Sequence, residues 1–229
     1  MNNLKESEFA DYLFTSKSSN SAFEEVENTF YQLNDYCVHL LQSLQEKFKD
    51  IESTYSEEAQ TKAWSEMGDA DYIGSFEEFA EELGEKINIS TYKFGPEDTI
   101  DFWSENVNFI APTNILVLLY FYTEGCLKNL CKKLNVNKKD NVVRLIPTYN
   151  KSKIEAAFEY LKNNCNISYY PSEDVKVHLK EVNKIRNNFA HGDWDLLKDR
   201  MKKINLRNSF KIASSIFADI ENIYLNNKK

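Results

Sequence analysis

Nine apolar residues, Phe23, Val26, Phe30, Leu33, Cys37, Leu40, Leu44, Phe48 and Ile51, recur at steps of three and four. That spacing puts all of them on one stripe of a helix of roughly 30 residues. A stripe so sustained serves either a coiled coil or a core built by the rest of its own chain. Punctuation is sparse: 6 glycines and 4 prolines in 229 residues are too few for a turn-rich, many-stranded architecture. The fold class expected is all-α.

Helical signals continue along the chain. Weaker patterns lie around Ala59–Met67 and Phe76–Leu83, broken by Gly68 and Gly74, and Ile87–Pro96 reads as irregular or briefly extended. Pro112 precedes a strongly apolar helix to about Leu134, with Thr113 or Asn114 suited to cap it. Further helices are expected from Ser152 to Asn163, from Pro171-Ser172 to a stop at Gly192, and from Lys203 to Leu225. Four helices within residues 113–225, joined by short to moderate links, read as an antiparallel four-helix bundle.

Charge divides the chain more sharply than its net of -8 suggests. Residues 1–110 hold 7 Lys and Arg against 24 Asp and Glu, and residues 111–229 hold 21 against 12. Two regions follow: an acidic helical N-terminal extension, 1–110, and a basic helical bundle, 111–229. The basic half suits a polyanionic partner; the acidic half repels one. Ala111–Thr123, the longest uncharged apolar run, has 13 residues, short of the roughly 20 that span a bilayer. With no secretory signal at the N-terminus, the expectation is a cytoplasmic protein without a membrane partner. The cysteines Cys37, Cys126, Cys131 and Cys165 form no C-x-x-C pair and have no clustered histidines, so they read as reduced core thiols rather than metal ligands.

The most informative segment is Lys184-Ile185-Arg186-Asn187-Asn188-Phe189-Ala190-His191-Gly192. Arginine, then asparagine, then histidine five places on, closes the third helix of the predicted bundle. With four arginines and three histidines in the chain, this spacing arises by chance in about one such sequence in twenty.

The run resembles the R-x(4–6)-H signature of the HEPN superfamily, and the resemblance covers residues 111–229. It implies a HEPN-like bundle and a metal-independent endoribonuclease of the toxin or phage-defence type, with RNA as substrate and no cofactor. It implies a homodimer too, because HEPN ribonucleases typically face two motifs into one cleft. Arg186, His191 and Asn187 are then the catalytic set: His191 moves protons, Arg186 holds the scissile phosphate, and Asn187 orients the imidazole or bonds the phosphate. Glu124, a lone acid in the apolar helix, is a supporting residue; it either meets Arg186 or stays wet near a subunit edge. Lys180, Lys184, Lys198, Lys202 and Lys203 are candidates to track the RNA backbone, and Trp194, Tyr169 or Tyr170 to stack bases. In HEPN toxins paired with nucleotidyltransferase antitoxins a tyrosine often follows two places after the histidine. Here His191-Gly192-Asp193 lacks it, so control by modification at that position is not expected.

Helix geometry restricts the mechanism. Five residues turn about 500°, leaving Arg186 and His191 about 140° apart on a regular helix. They converge only if the helix unwinds near Gly192 or if a second subunit shares the groove. His178 stands about 20 Å from His191 along the same helix, so a second imidazole at one phosphate comes most simply from a twofold-related chain. Two other readings stand beside the nuclease. One is a non-catalytic HEPN module that binds RNA, a nucleotide or a partner protein such as an antitoxin or defence component. The other is an acidic nucleic-acid mimic built on residues 1–110, which alternatively shields the basic cleft from RNA.

Overall fold

The computed structural model describes residues 13–55, 96–135, 145 and 152–228. Among them 84% are helical and none lies in a strand, so the protein is all-α. The helices are α1 (Ser21–Tyr55), α2 (Pro96–Glu105), α3 (Ala111–Leu134), α4 (Lys153–Cys165), α5 (Glu173–His191), α6 (Trp194–Met201) and α7 (Leu206–Asn226). The patterns at 59–67, 76–83 and 87–96 fall outside the described residues.

The termini follow from local chemistry. Ser152 caps α4 in a full capping box with Glu155, and Ser172 caps α5 by accepting the Val175 N–H at 3.4 Å. Gly192 ends α5 at φ 74°, a left-handed position that costs glycine little. Two boundaries differ from the sequence expectation. Thr113 and Asn114 do not cap α3, because the helix does not begin there: it starts at Ala111, immediately after a π-helical turn at Asn106–Ile110. Pro112 has no N–H to give, and the wider turn, with the Ala111 N–H bonded to Asn106 O, shifts the register around it. The last helix starts at Leu206, capped by Asn205, since residues 194–201 fold as the separate helix α6.

The described residues form two compact units. The smaller, within His39–Pro112, packs Ile100 and Trp103 of α2 on the buried Ile51 and Tyr55 of α1. The larger runs from Thr113 onward and also takes in the chain up to Val38, ahead of the 111–229 span read from sequence. In it α1 runs opposite to α7, with Phe23 against Tyr224 and Phe30 against Phe217, each at 5.3 Å between ring centroids. It also runs opposite to α3, where Glu25 pairs with Lys133 and Thr29 meets Cys126. Both pairs involve α1, which stands outside the four helices expected to form the antiparallel bundle. By contrast, α3 and α4 run in the same sense: Glu124 meets Lys153 and Asn135 meets Tyr160. A connection from 135 to 152 is long enough for that return.

Helix α3 is the centre of the larger unit; Ile115, Leu116, Leu127 and Leu130 are fully buried. The continuous helix Asp98–Leu134 is long and apolar enough to cross a membrane, and 56% of its apolar window is buried within the protein. All four cysteines are buried thiols. Burial pushes Cys37 up to about 12, Cys126 and Cys165 up to about 11, and Cys131 higher still.

Candidate active site on helix α5

Helix α5 has two faces with different jobs. Val182 and Ile185 are buried, and Arg186, Asn183 and Phe189 are half-buried on the side that packs inward. Lys180, Lys184, Asn187 and His191 are exposed, and steps of four, three and four put them on one outward stripe. The helix stays regular through His191 before Gly192 caps it. Arg186 and His191 therefore remain on separate faces, as the 140° estimate requires, and one chain does not bring them together. His191 faces solvent in the last turn of the helix.

Arg186 is built into an aromatic seat on α3. Its guanidinium carbon lies 5.7 Å from the Tyr120 ring centroid and 5.8 Å from that of Phe121, distances that suit cation–π attraction. Tyr120 is buried, and its hydroxyl donates to Asn183 Oδ1 at 3.3 Å, one turn before Arg186. Burial raises the Tyr120 pKa, with the Arg186 charge pulling the other way. No carboxylate pairs with Arg186 among the described residues, and its Nε is buried without an acceptor. Phe121 is 49% exposed beside it, so the seat opens to the surface.

Glu124 does not meet Arg186. Its Oε1 pairs with Lys153 Nζ at 2.9 Å, while Oε2 is buried and has no hydrogen-bond partner among the described residues. Lys153 begins α4, and the parallel course of α3 and α4 brings it there. Sequence spacing alone contains no signal for that pairing.

The candidate RNA-tracking lysines are all exposed, with different company. Lys184 bonds Glu181 at 3.3 Å and Lys202 bonds Asp199 at 2.9 Å. Glu181 also pairs with Arg200, tying α6 to α5. Lys180 and Lys184 share the His191 stripe, whereas Lys198 lies on α6, one turn beyond Trp194, and Lys202 caps its C-terminal end. Among the stacking candidates Tyr169 is buried against Phe158, with ring centroids 4.9 Å apart, and Tyr170 is 70% exposed beneath Lys162 Nζ. Trp194 is 46% exposed and meets Phe189 edge to face at 6.0 Å.

His178 faces inward. It lines a narrow cleft with Leu116, Tyr120, Val182 and Ser209, and burial lowers its pKa. Helix α6 went unforeseen in the sequence, although Asp193 before an eight-residue apolar and charged run was a legible start signal. Comparison of the chain with models of protein families, with curated proteins and with solved structures finds no match.

Proposed function

We propose that the protein is a metal-independent endoribonuclease of the HEPN type, acting in the cytoplasm as a homodimer in a toxin or phage-defence role. The observation that carries this reading is Arg186: a half-buried guanidinium on an aromatic seat, with no carboxylate partner among the described residues. A cation held in place and left unpaired suits an anion that arrives from outside.

In the reaction one His191 takes the proton of a ribose 2′-OH, and the oxygen attacks the adjacent phosphorus. The P–O5′ bond breaks as an acid, the His191 of the twofold-related chain, protonates the leaving oxygen. Products are a 2′,3′-cyclic phosphate and a 5′-hydroxyl. Arg186 stabilises charge on the pentacoordinate phosphorus. Asn187 lies between Lys184 and His191 on the outward stripe, where it bonds phosphate or steadies the imidazole. Glu124, paired with Lys153, supports the α3 side of the Arg186 seat from one turn beyond Tyr120. The exposed lysines of α5 and α6 hold the backbone.

The test is expression of the full chain against Arg186→Ala and His191→Ala, with RNA cleavage by the purified proteins in EDTA. The proposal expects growth arrest and chelator-resistant cleavage from the parent alone. Cleavage lost to EDTA and restored by a divalent ion overturns the mechanism. A second reading, a non-catalytic HEPN module that binds RNA, a nucleotide or an antitoxin or defence partner, is favoured by the separate faces of Arg186 and His191. It expects binding indifferent to His191→Ala, and no cleavage.

A further inference from the structure

We propose that Asp193 and Trp194 form a guanine-reading subsite beside His191, so that the nuclease cuts single-stranded RNA next to a guanine; this rests on the ribonuclease reading above. Trp194 opens α6, its N–H bonded to Gly192 O at 2.9 Å and its ring braced by Phe189. The indole passes close over Gly192, where an added Cβ would lie 3.9 Å from Nε1. It is thus fixed two residues from the glycine that follows His191, with nearly half its surface open. An exposed, braced indole is a stacking platform for an unpaired base. A base in a duplex is already stacked on both sides, so the platform selects a single strand.

Asp193 supplies the second half. It occupies the N-cap position of α6, where aspartate ordinarily accepts a helix N–H, yet its side chain makes no cap. Its backbone is fully engaged: the N–H bonds Asn188 O at 2.9 Å and the carbonyl accepts from Leu197 at 3.0 Å. The carboxylate is exposed and has neither hydrogen bond nor ion pair among the described residues. Asp195, by contrast, sits in the first turn, where the helix dipole accounts for it.

An uncommitted acid is out of place in this stretch. Residues 180–211 hold nine Lys and Arg against four Asp and Glu, a balance that suits phosphate, which Asp193 repels. A carboxylate there accepts N–H groups instead. Guanine is the one base whose Watson–Crick edge carries two adjacent donors, N1–H and the N2 amino group, matching the two oxygens of a carboxylate. Adenine and cytosine offer a single donor there, and the uracil N–H is flanked by acceptors. Stacking on Trp194 with the edge turned to Asp193 would read guanine.

Two measurements test this. The His191→Ala chain is titrated with guanosine and adenosine monophosphates, following tryptophan fluorescence, with Trp194→Phe added to isolate the Trp194 signal. In parallel, the active chain cleaves single-stranded oligonucleotides carrying one guanine, or inosine or adenine in its place. Guanine should exceed adenine in kcat/KM by about 30-fold, with inosine between, and Asp193→Asn should bring the ratio within about threefold through a loss on the guanine substrate. Trp194→Ala should raise KM for every substrate. RNA cut without regard to guanine overturns the subsite and leaves the nuclease intact. Guanosine monophosphate binding that Asp193→Asn abolishes, in a chain that cuts no RNA, upholds the subsite and removes the nuclease. Trp194→Ala that weakens self-association, with no nucleotide response, makes Trp194 a protein contact and overturns the inference.

Discussion

The Arg186 guanidinium sits 5.7 Å from the Tyr120 ring, and the Tyr120 hydroxyl donates at 3.3 Å to Asn183, on the same helix as the arginine. Helix α3 thereby supplies the seat, while α5 supplies both the cation and the acceptor that fixes the seat. If Arg186 stabilises the transition state, the ring matters more than the hydroxyl. Tyr120→Phe should keep kcat within about twofold, and Tyr120→Leu should lower it about fivefold with little change in KM, given that a half-buried cation–π contact contributes about 1 kcal/mol. An equal loss in both variants would point to the hydroxyl and count against the seat.

Glu124 tests a different part of the same region. Its side chain is 15% exposed and that of Lys153 is 51%, so the pair is lopsided: the acid is the group that loses water. Lys153→Met should therefore destabilise the protein by about 1–2 kcal/mol by stranding a nearly buried carboxylate. Glu124→Gln/Lys153→Met should recover much of that loss. Urea midpoints of the single and double variants measure it; a neutral Lys153→Met would mean the carboxylate is better hydrated than its burial suggests.

The largest stability effect expected of a single polar substitution is at Glu221. This carboxylate is 1% exposed and accepts from Ser16 Oγ at 2.6 Å, from the Ser18 N–H at 3.0 Å and from the Lys17 N–H at 3.0 and 3.1 Å to its two oxygens. No cation is needed, because oriented N–H groups do the neutralising. The contact holds the segment before α1 on α7, with Phe14 inserted 6.0 Å from Phe217. Glu221→Gln turns one oxygen into an amino group facing donors, at a cost of about 2–3 kcal/mol. Denaturation should show that loss, and proteolysis should move into residues 13–20. Cleavage elsewhere would place the weak point outside this latch.

How far the sequence foretold this arrangement depends on the range of the interaction. Helix positions were legible because stripe, cap and stop are local: Ser152, Ser172 and Gly192 mark ends that the backbone obeys. The start of α3 was not, since Pro112 reads as a boundary unless a π turn absorbs it. Partners across helices were least legible. Nothing in the spacing of Glu124 says that it faces Lys153, because the direction of α4 depends on a long connection. The opposed faces of Arg186 and His191 were readable from helical geometry alone, whereas the seat of Tyr120 and Phe121 required the packing of α3 on α5.

His178 gives the protein an acid-sensitive point. It lines the cleft between α3, α4, α5 and α7, and the residues around it include Leu116, Ile154, Val182 and Ala213 but no carboxylate. Tyr120 is the one other titratable side chain in that lining, and it is neutral near pH 7. Burial lowers the folded-state pKa of His178 below its ordinary 6.5. The neutral imidazole is then favoured in the folded state, and protonation is favoured in the unfolded chain. Its contribution is present in full above pH 6.5 and is lost as the pH falls through the folded-state pKa, below which both states are protonated and the loss levels off. His178→Asn should flatten the decline in stability from pH 7 to pH 5 without abolishing it, since other groups titrate there. Unfolding curves at three pH values measure the change, and a parallel NMR titration of the three imidazoles gives the pKa directly. An unchanged slope, or a His178 pKa at or above 6.5, would mean that water or an acid reaches the ring and that the cleft is not the low-dielectric pocket its lining implies.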